Sequence, residues 1–211
     1  MKKDNCIIVG AGRFSGLIKE ISRETDYVIA ADGGFLYLEE LGIVPDLVIG
    51  DLDSLSEQLS EEEINRIENK IILPVMKDET DLFAAVKKGI EVGCRVFHIY
   101  GAMGGRIDHT IANIQILHYI AEQNKQGFIY DKEAMLSTIC NTGISFPKEA
   151  TGGLSVFSLD NSAKGVTIKG MKYLLDHVEV TNTFPIGISN EFIGEQATIS
   201  VEQGTLLLVV C

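Results

Sequence analysis

The sequence predicts an α/β domain followed by an all-β domain. Between Cys6 and about Gln126, short apolar runs alternate with helical patterns, which points to parallel strands joined by right-handed crossovers with helices on both faces. Beyond Gln126 the pattern changes to closely spaced β-like runs separated by Gly, Asn, Asp and Ser, which suits an antiparallel sandwich or barrel. The 211 residues are 45% hydrophobic with no low-complexity tract, so they can bury one large core or two small ones. The boundary falls near Asn124 to Gly127, giving domains over residues 1–126 and 127–211.

In the first half, strands are expected near Cys6 to Val9, Tyr27 to Ala31, Leu47 to Gly50, Ile71 to Val75 and Arg95 to Tyr100, with helices between them. The helix near Thr80 to Val92 has Asp78 as a candidate cap and Asp81 in its first turn, where the helix dipole favours an anion. The last helix of this half repeats Ile107, Ile111, Ile114, Leu117 and Ala121 at spacings of three and four, a stripe expected to face the core. In the second half, β-like runs cover Phe128 to Tyr130, Met135 to Ile139, Leu154 to Leu159, Gly165 to Ile168, Val178 to Val180, Ala197 to Val201 and Leu206 to Val210.

The totals exclude several classes of function. Eighteen Lys and Arg against thirty Asp and Glu give a net charge of -12, and the basic residues are nowhere concentrated, so a nucleic-acid partner is not expected. Cys6, Cys94, Cys140 and Cys211 are widely spaced with no Cys-x-x-Cys pair, which suits reduced thiols. The N-terminus lacks the uninterrupted apolar core of a signal peptide, and no segment approaches the roughly 18 apolar residues of a membrane span. The expectation is a cytoplasmic protein acting on small molecules.

The segment from Ala31 to Ser54 carries the densest chemistry, ending one apolar strand in Asp32-Gly33-Gly34 and another in Gly50-Asp51-Leu52-Asp53-Ser54. On an extended segment, side chains two apart share a side, so Asp51 and Asp53 would bring two carboxylates together. Like charges that close call for a cation, and a hard divalent ion with oxygen ligands fits. Asp46, after Pro45, starts a strand and reads as turn chemistry. Asp81 is open between a helix-dipole role and a ligand role.

Two glycine clusters stand beside this acidic set. Gly10 to Gly16 follows a strand, but its third glycine is one residue too far along for a dinucleotide fingerprint, so it reads as a tight strand-to-helix turn still able to touch a phosphate. Gly101 to His109 closes the fifth strand and opens the long helix. Its glycines let backbone N–H groups approach phosphate oxygens, Arg106 offers a planar fork of donors, and no Gly-Lys-Ser/Thr of a Walker A loop follows. His109 alone reads as a structural histidine or a nucleotide contact. In the second half, Ser189-Asn190-Glu191-Phe192 and Tyr173 read in isolation as solvated loops with anchoring aromatics.

Taken together, ADGG at Ala31 to Gly34, PDLVIGDLDS at Pro45 to Ser54, KDETD at Lys77 to Asp81, GAMGGRIDH at Gly101 to His109 and SNEF at Ser189 to Phe192 resemble the thiamin pyrophosphokinase family. Five motifs in the right order over nearly the whole chain make the resemblance specific. It implies a Rossmann-like parallel α/β domain followed by an antiparallel β-sandwich, and a homodimer that transfers a pyrophosphoryl group from ATP to thiamin, giving thiamin diphosphate and AMP. It implies Asp51, Asp53 and Asp81 as magnesium-binding and catalytic carboxylates. Asp32, Gly33, Gly34, Thr80, Gly104, Gly105, Arg106, Asp108 and His109 become nucleotide contacts. Ser189, Asn190 and Phe192, with Tyr173 of a Gly-x-Lys-aromatic segment, would line a thiamin site shared between subunits. Some family members carry Trp at the Tyr173 position, whereas this chain has no Trp, and Leu174 stands where many bacterial members have Pro. A nucleotide pyrophosphohydrolase using water, or a non-enzymatic thiamin or nucleotide sensor, would share parts of this pattern.

Overall fold

A computed structural model describes residues 3–16, 18–74, 76 and 78–211, with Ser54 described by its backbone. Val75, the expected end of a strand, and Lys77, the first residue of KDETD, lie outside the described residues. The chain divides into two compact units, residues 1–116 with 129–132, and residues 117–128 with 133–211.

The first unit is α/β. In chain order it holds β1 (Asn5–Val9), β2 (Asp26–Ala31), α1 (Gly34–Glu40), β3 (Leu47–Gly50), α2 (Asp53–Ser56), α3 (Glu61–Arg66), β4 (Lys70–Ile72), α4 (Asp81–Val92), β5 (Val96–Tyr100) and the start of α5 (Ile107–Glu122). Strands β5, β1, β2, β3 and β4 lie side by side in that order, all parallel. β4 is shorter than the run Ile71 to Val75 suggested, and its Ile72 is exposed. The interiors of β1, β2 and β3 read as apolar runs because both faces are covered.

Helix α4 covers one face of this sheet, packing Leu82, Ala84, Ala85, Val86 and Gly89 against β1, β2 and β3. A Cβ on Gly89 would lie 2.7 Å from both Cys6 Sγ and Phe97, so the missing side chain lets helix and strand approach. Thr80 caps α4, its Oγ1 accepting from Phe83 N at 3.2 Å, and the expected cap Asp78 is not used. A hydroxyl immediately before the first helical residue reaches that N–H, and Asp78 lies two residues too early.

The opposite face departs from expectation. Among the described residues between β1 and β2 there is no helix, so Gly10 to Gly16 is not a strand-to-helix turn. Phe14, Ile18 and Ile21 of this irregular stretch join α1, with its buried Leu38, in covering Ile7, Val9 and Val28, with Phe14 and Tyr37 rings 5.0 Å apart. The fully buried carboxylate of Asp26 holds the stretch in place. It accepts from Lys19 Nζ (2.7 Å), Ser22 N (3.0 Å) and Asn5 Nδ2 (2.6 Å). Burial alone would raise its pKa; these donors outweigh burial and bring it down to about 2.

The second unit is β-rich. It contains the rest of α5 and most of β6 (Gln126–Tyr130), followed by β7 (Met135–Cys140), β8 (Gly143–Phe146), β9 (Gly153–Ser158), β10 (Ser162–Lys169), β11 (Leu175–Thr181), β12 (Gly187–Glu191), β13 (Ala197–Ser200) and β14 (Thr205–Val210). Two antiparallel sets are built, ordered β12-β9-β14-β7 and β11-β10-β13-β8. One core draws on both, joining Leu154, Val156, Leu206 and Leu208 to Val166, Ile168, Val180 and Ile199. Strands β8 and β12 are absent from the sequence expectation. The Ser189-Asn190-Glu191 run, read there as a loop, belongs to β12, whose register shifts between Gly187 and Asn190.

Helix α5 does not carry the expected core stripe along its length. Leu117 and Ala121 are buried, but Ile107 and Ile111 are 78% and 55% exposed, and the residues buried on its middle turns are Asn113, Ile116, Leu117 and Ile120. Spacings of three and four mark a face without saying over what length a neighbour covers it.

Asp26→Asn should lower stability by roughly 2–3 kcal/mol at neutral pH, the linkage value of a carboxyl held at about 2 against an unperturbed 3.8. Because the folded pKa is depressed, the wild-type advantage is complete above about pH 4 and disappears as pH falls toward 2. Denaturant unfolding of both proteins across that range measures it.

Candidate active site

The carboxyl ends of parallel strands are where an open α/β sheet binds ligands. Here they frame a cleft of about 530 Å³, lined among others by Gly10 to Gly12, Asp32, Asp51, Thr80, Asp81, Gly101 to Met103, Gly105, Arg106 and His109. All of these residues belong to the first unit.

The floor is made by two strand-end loops touching backbone to backbone. Gly10 N donates to Tyr100 O and Gly12 N to Gly101 O, both at 2.8 Å, and Arg13 N donates to Met103 O at 2.7 Å. A Cβ at Gly12 would sit 2.6 Å from Gly101 O, and one at Gly101, whose φ is 61°, would collide with Gly10 O. These glycines are fixed by contact between loops as well as by any ligand. Gly34 is similar, because a Cβ there would strike the Val9 carbonyl at the start of α1. Gly33 precedes it at the helix cap. Neither Gly33 nor Gly34 lines the cleft.

Two residues at the cleft side hold left-handed backbone without being glycine, Asp32 (φ 49°) and Leu52 (φ 62°). Asp tolerates this region; a buried Leu does so only where its surroundings over-determine it. The turn at Leu52 also changes the relation of Asp51 to Asp53. The chain is not extended there: Asp53 opens the short helix α2, and Asp51 Oδ1 accepts from Asp53 N at 3.2 Å. Asp51 is half-buried on the cleft, whereas Asp53 is exposed and outside the lining. The extended alternation from which a shared side was expected therefore stops at Leu52. Among the described residues no three His, Cys, Asp or Glu side chains gather as a preformed metal site.

Asp46, read as turn chemistry, accepts from Val28 N at 2.8 Å and sits away from the cleft. Thr80 and Asp81 reach the cleft from the start of α4. At the start of α5, Arg106 and Asp108 form a two-pronged pair, and Asp108 also accepts from His109 N. Arg106 holds the exposed Asp108 carboxyl below its usual range. Arg106 and His109 line the cleft, and Asp108 and Gly104 do not. Glu79, Thr110 and Asn113 also line the cleft and were not among the residues expected from the sequence. Asn113 is buried, with Nδ2 donating to Ala102 O at 2.6 Å. Its signal was available, an amide four residues after His109 and so on the same face of the helix.

The remaining candidates lie in the second unit. Asn190 is buried and clasps the Tyr173 backbone from both sides, accepting from its N–H at 2.9 Å and donating to its carbonyl at 2.6 Å. This leaves Tyr173 57% exposed, with Lys172 Nζ 5.5 Å from its ring centroid. Ser189 takes φ 59° and donates from its N–H to Ser155 Oγ. Phe192 packs its ring 5.3 Å from Phe146.

Comparison with known proteins adds identity to this geometry. A family model described as thiamin pyrophosphokinase, catalytic domain, matches residues 18–129, and one described as thiamin pyrophosphokinase, vitamin B1 binding domain, matches residues 141–206. The chain is 29% identical over 211 residues to the thiamine pyrophosphokinase of Bacillus subtilis, covering 96% of this chain and 97% of the relative. Its fold is similar to the crystal structure of thiamine pyrophosphokinase from Bacillus subtilis, with a TM-score of 0.86 and 26% identity, and to that of a family protein from Enterococcus faecalis, at 0.81 and 28%. Each comparison covers 98% of both chains.

The two glycine environments predict opposite outcomes. Gly34→Ala should cost more than about 2 kcal/mol, since backbone must move to admit the methyl group. Gly105→Ala, with nothing within 4 Å of the added carbon, should leave the melting temperature unchanged. Thermal unfolding of the two variants decides.

Proposed function

This chain belongs to the thiamin pyrophosphokinase family, and from that premise we propose that the cleft of its α/β unit holds the nucleotide while its β-rich unit supplies the thiamin contacts. The activity is that of a thiamin diphosphokinase, pyrophosphoryl transfer from ATP to the thiamin hydroxyl, giving thiamin diphosphate and AMP. A pyrophosphohydrolase or a sensor would account less well for a catalytic domain accompanied by a vitamin B1 binding domain. One observation carries the assignment of the cleft: Asp32, Asp51, Asp81, Arg106 and His109, contributed by four separate stretches of sequence, line one cavity at the strand ends. In the same reading the α/β unit is Rossmann-like, the β-rich unit is a sandwich, and the enzyme works in the cytoplasm.

The donor set fits magnesium. Asp51 and Asp81 offer hard carboxylate oxygens on one cleft, and Mg²⁺ is usually held by one or two carboxylates with substrate phosphates and water rather than by an all-protein cage. Asp51 and Asp81, with Asp53 two residues on, are the residues proposed to hold it; when bound it supplies charge neutralisation for the triphosphate. The chain's own groups do the rest. Arg106 offers its fork to phosphate oxygens, exchanging Asp108 for the substrate, and the backbone amides near Gly104 and Gly105 face developing negative charge. Asp32, Gly33, Gly34, Thr80, Asp108 and His109 complete the proposed nucleotide contacts. The thiamin hydroxyl oxygen attacks the β-phosphorus in line, the bond to the α,β-bridging oxygen breaks, and the hydroxyl proton leaves. Such a transfer depends on positioning and electrostatics more than on covalent assistance.

For thiamin, the proposed contacts are Tyr173, Ser189, Asn190 and Phe192. The exposed Tyr173 ring offers an aromatic face to a cationic thiazolium or a flat pyrimidine. The reading includes a homodimer in which the α/β unit of one subunit and the β-rich unit of its partner form each active site.

Asp51→Asn and Asp81→Asn should each remove most turnover in an assay quantifying AMP and thiamin diphosphate together, while Asp46→Asn, as a matched control, keeps it. Wild-type rates in either cleft variant at limiting magnesium would refute the assignment. Tyr173→Ala should raise the thiamin KM about 2- to 30-fold, the equivalent of an aromatic or cation-π contact of roughly 0.5–2 kcal/mol, and leave the ATP KM alone. Mixing Tyr173→Ala and Asp51→Asn chains under subunit exchange should recover activity; a fully active monomer at working concentration would contradict a shared site.

A further inference from the structure

Gly10 to Gly12 line the cleft, and the next residue, Arg13, touches the loop that carries Arg106. Arg13 donates its backbone N–H to Met103 O at 2.7 Å, forming an isolated antiparallel bridge with that residue. Its side chain fills the space beside Gly104: a Cβ on Gly104 would lie 2.6 Å from Arg13 Cβ and 2.7 Å from Arg13 Nε. Gly104 takes φ 78°, a conformation in which other residues are strained. The arginine is itself held. Its NH2 donates to Asp131 Oδ2 at 2.7 Å, with a longer contact of 3.4 Å from Nε to Oδ1. Asp131 is 7% exposed and Arg13 54% exposed, so one end of the pair is fixed in the protein while the other, half open to solvent, lies against Gly104. The same contact draws the Asp131 carboxyl below its ordinary range.

We propose that Arg13, clamped by Asp131, is a positioning residue for the Gly101–Arg106 loop and, through it, for the bound nucleotide. The proposal rests on the reading of the cleft as the nucleotide site. Arg13 does not line the cleft. It acts by setting the height and path of the Gly104–Gly105 backbone, and hence the amides and the Arg106 side chain that follow. A rigid planar side chain suits this task, because guanidinium keeps its shape when held by a carboxylate fork. A lysine would supply charge without that surface.

The test uses the full chain, with steady-state kinetics for both substrates and equilibrium binding of a non-hydrolysable ATP analogue with magnesium. Arg13→Ala should raise the ATP KM and weaken analogue binding about tenfold, with the thiamin KM unchanged within about twofold. Asp131→Asn, which alters one group and keeps shape, should shift the same parameters in the same direction. Arg13→Ala with Asp131→Asn should be no worse than Arg13→Ala alone, because the pair acts as one device. Arg13→Lys should recover only part of the loss. An unchanged ATP KM in Arg13→Ala, a thiamin KM that rises in parallel, or additive effects in the double variant would each overturn the proposal. Arg106→Ala separates the two levels of the argument. If Arg106→Ala loses analogue binding and Arg13→Ala does not, positioning by Arg13 is wrong and the cleft stands. If neither loses it, the nucleotide lies elsewhere and the proposal falls with the reading beneath it.

Discussion

The candidate site depends on a contact that involves no side chain. Residues 10–13 and 101–103 run against each other closely enough for Gly12 N–H to reach Gly101 O and Arg13 N–H to reach Met103 O. Glycine at 10, 12 and 101 is what permits this approach, since added carbons would fall on opposing carbonyl oxygens. Parallel strands β1 and β5 deliver the two loops side by side, with Val9 paired to Tyr100. Wider separation of those strand ends would leave neither a floor for the cleft nor a support for the Gly104–Arg106 turn that closes it.

Charge sets the second constraint. The chain carries a net charge of -12, and its cleft is lined by Asp32, Asp51, Glu79 and Asp81 with Arg106 as the facing cation. A polyphosphate entering such a site meets like charge, and backbone amides offset only part of it. The proposed need for a divalent ion follows from this imbalance. The cation and the triphosphate each supply what the other lacks, consistent with carboxylates that share a cleft without forming a closed cage. Glu79 is drawn to Lys87, which moderates the acidity at the mouth of the cleft.

Much of this was legible in the amino-acid order. Strand ends announced by Asp32, Asp51 and Gly101, and the helix start at Arg106, converge in three dimensions because parallel strands put all their carboxyl ends on one edge. What was not legible depended on backbone conformation or on neighbours far away in sequence. The extended backbone expected from Asp51 to Asp53 is interrupted because Leu52 adopts a left-handed turn. Helical spacing placed Ile107 and Ile111 in the core because periodicity marks a face but not its cover. The stretch after β1 is irregular although it buries Phe14, Ile18 and Ile21, its order coming from the Asp26 carboxylate. Strand β12 escaped notice because its polar Ser189 and Asn190 sit at a register shift, where Asn190 serves the Tyr173 backbone.

The central claim is that the nucleotide occupies the cleft built on the two glycine loops. A crystal structure of the full chain with a non-hydrolysable ATP analogue and magnesium tests it most directly. Phosphates are expected against the Gly104–Arg106 turn and beside Asp51 and Asp81, with Arg106 turned from Asp108 onto phosphate oxygen. Occupancy instead of the groove at the opposite strand ends, lined by Tyr27, Asp46, Glu68 and Lys70, would contradict it.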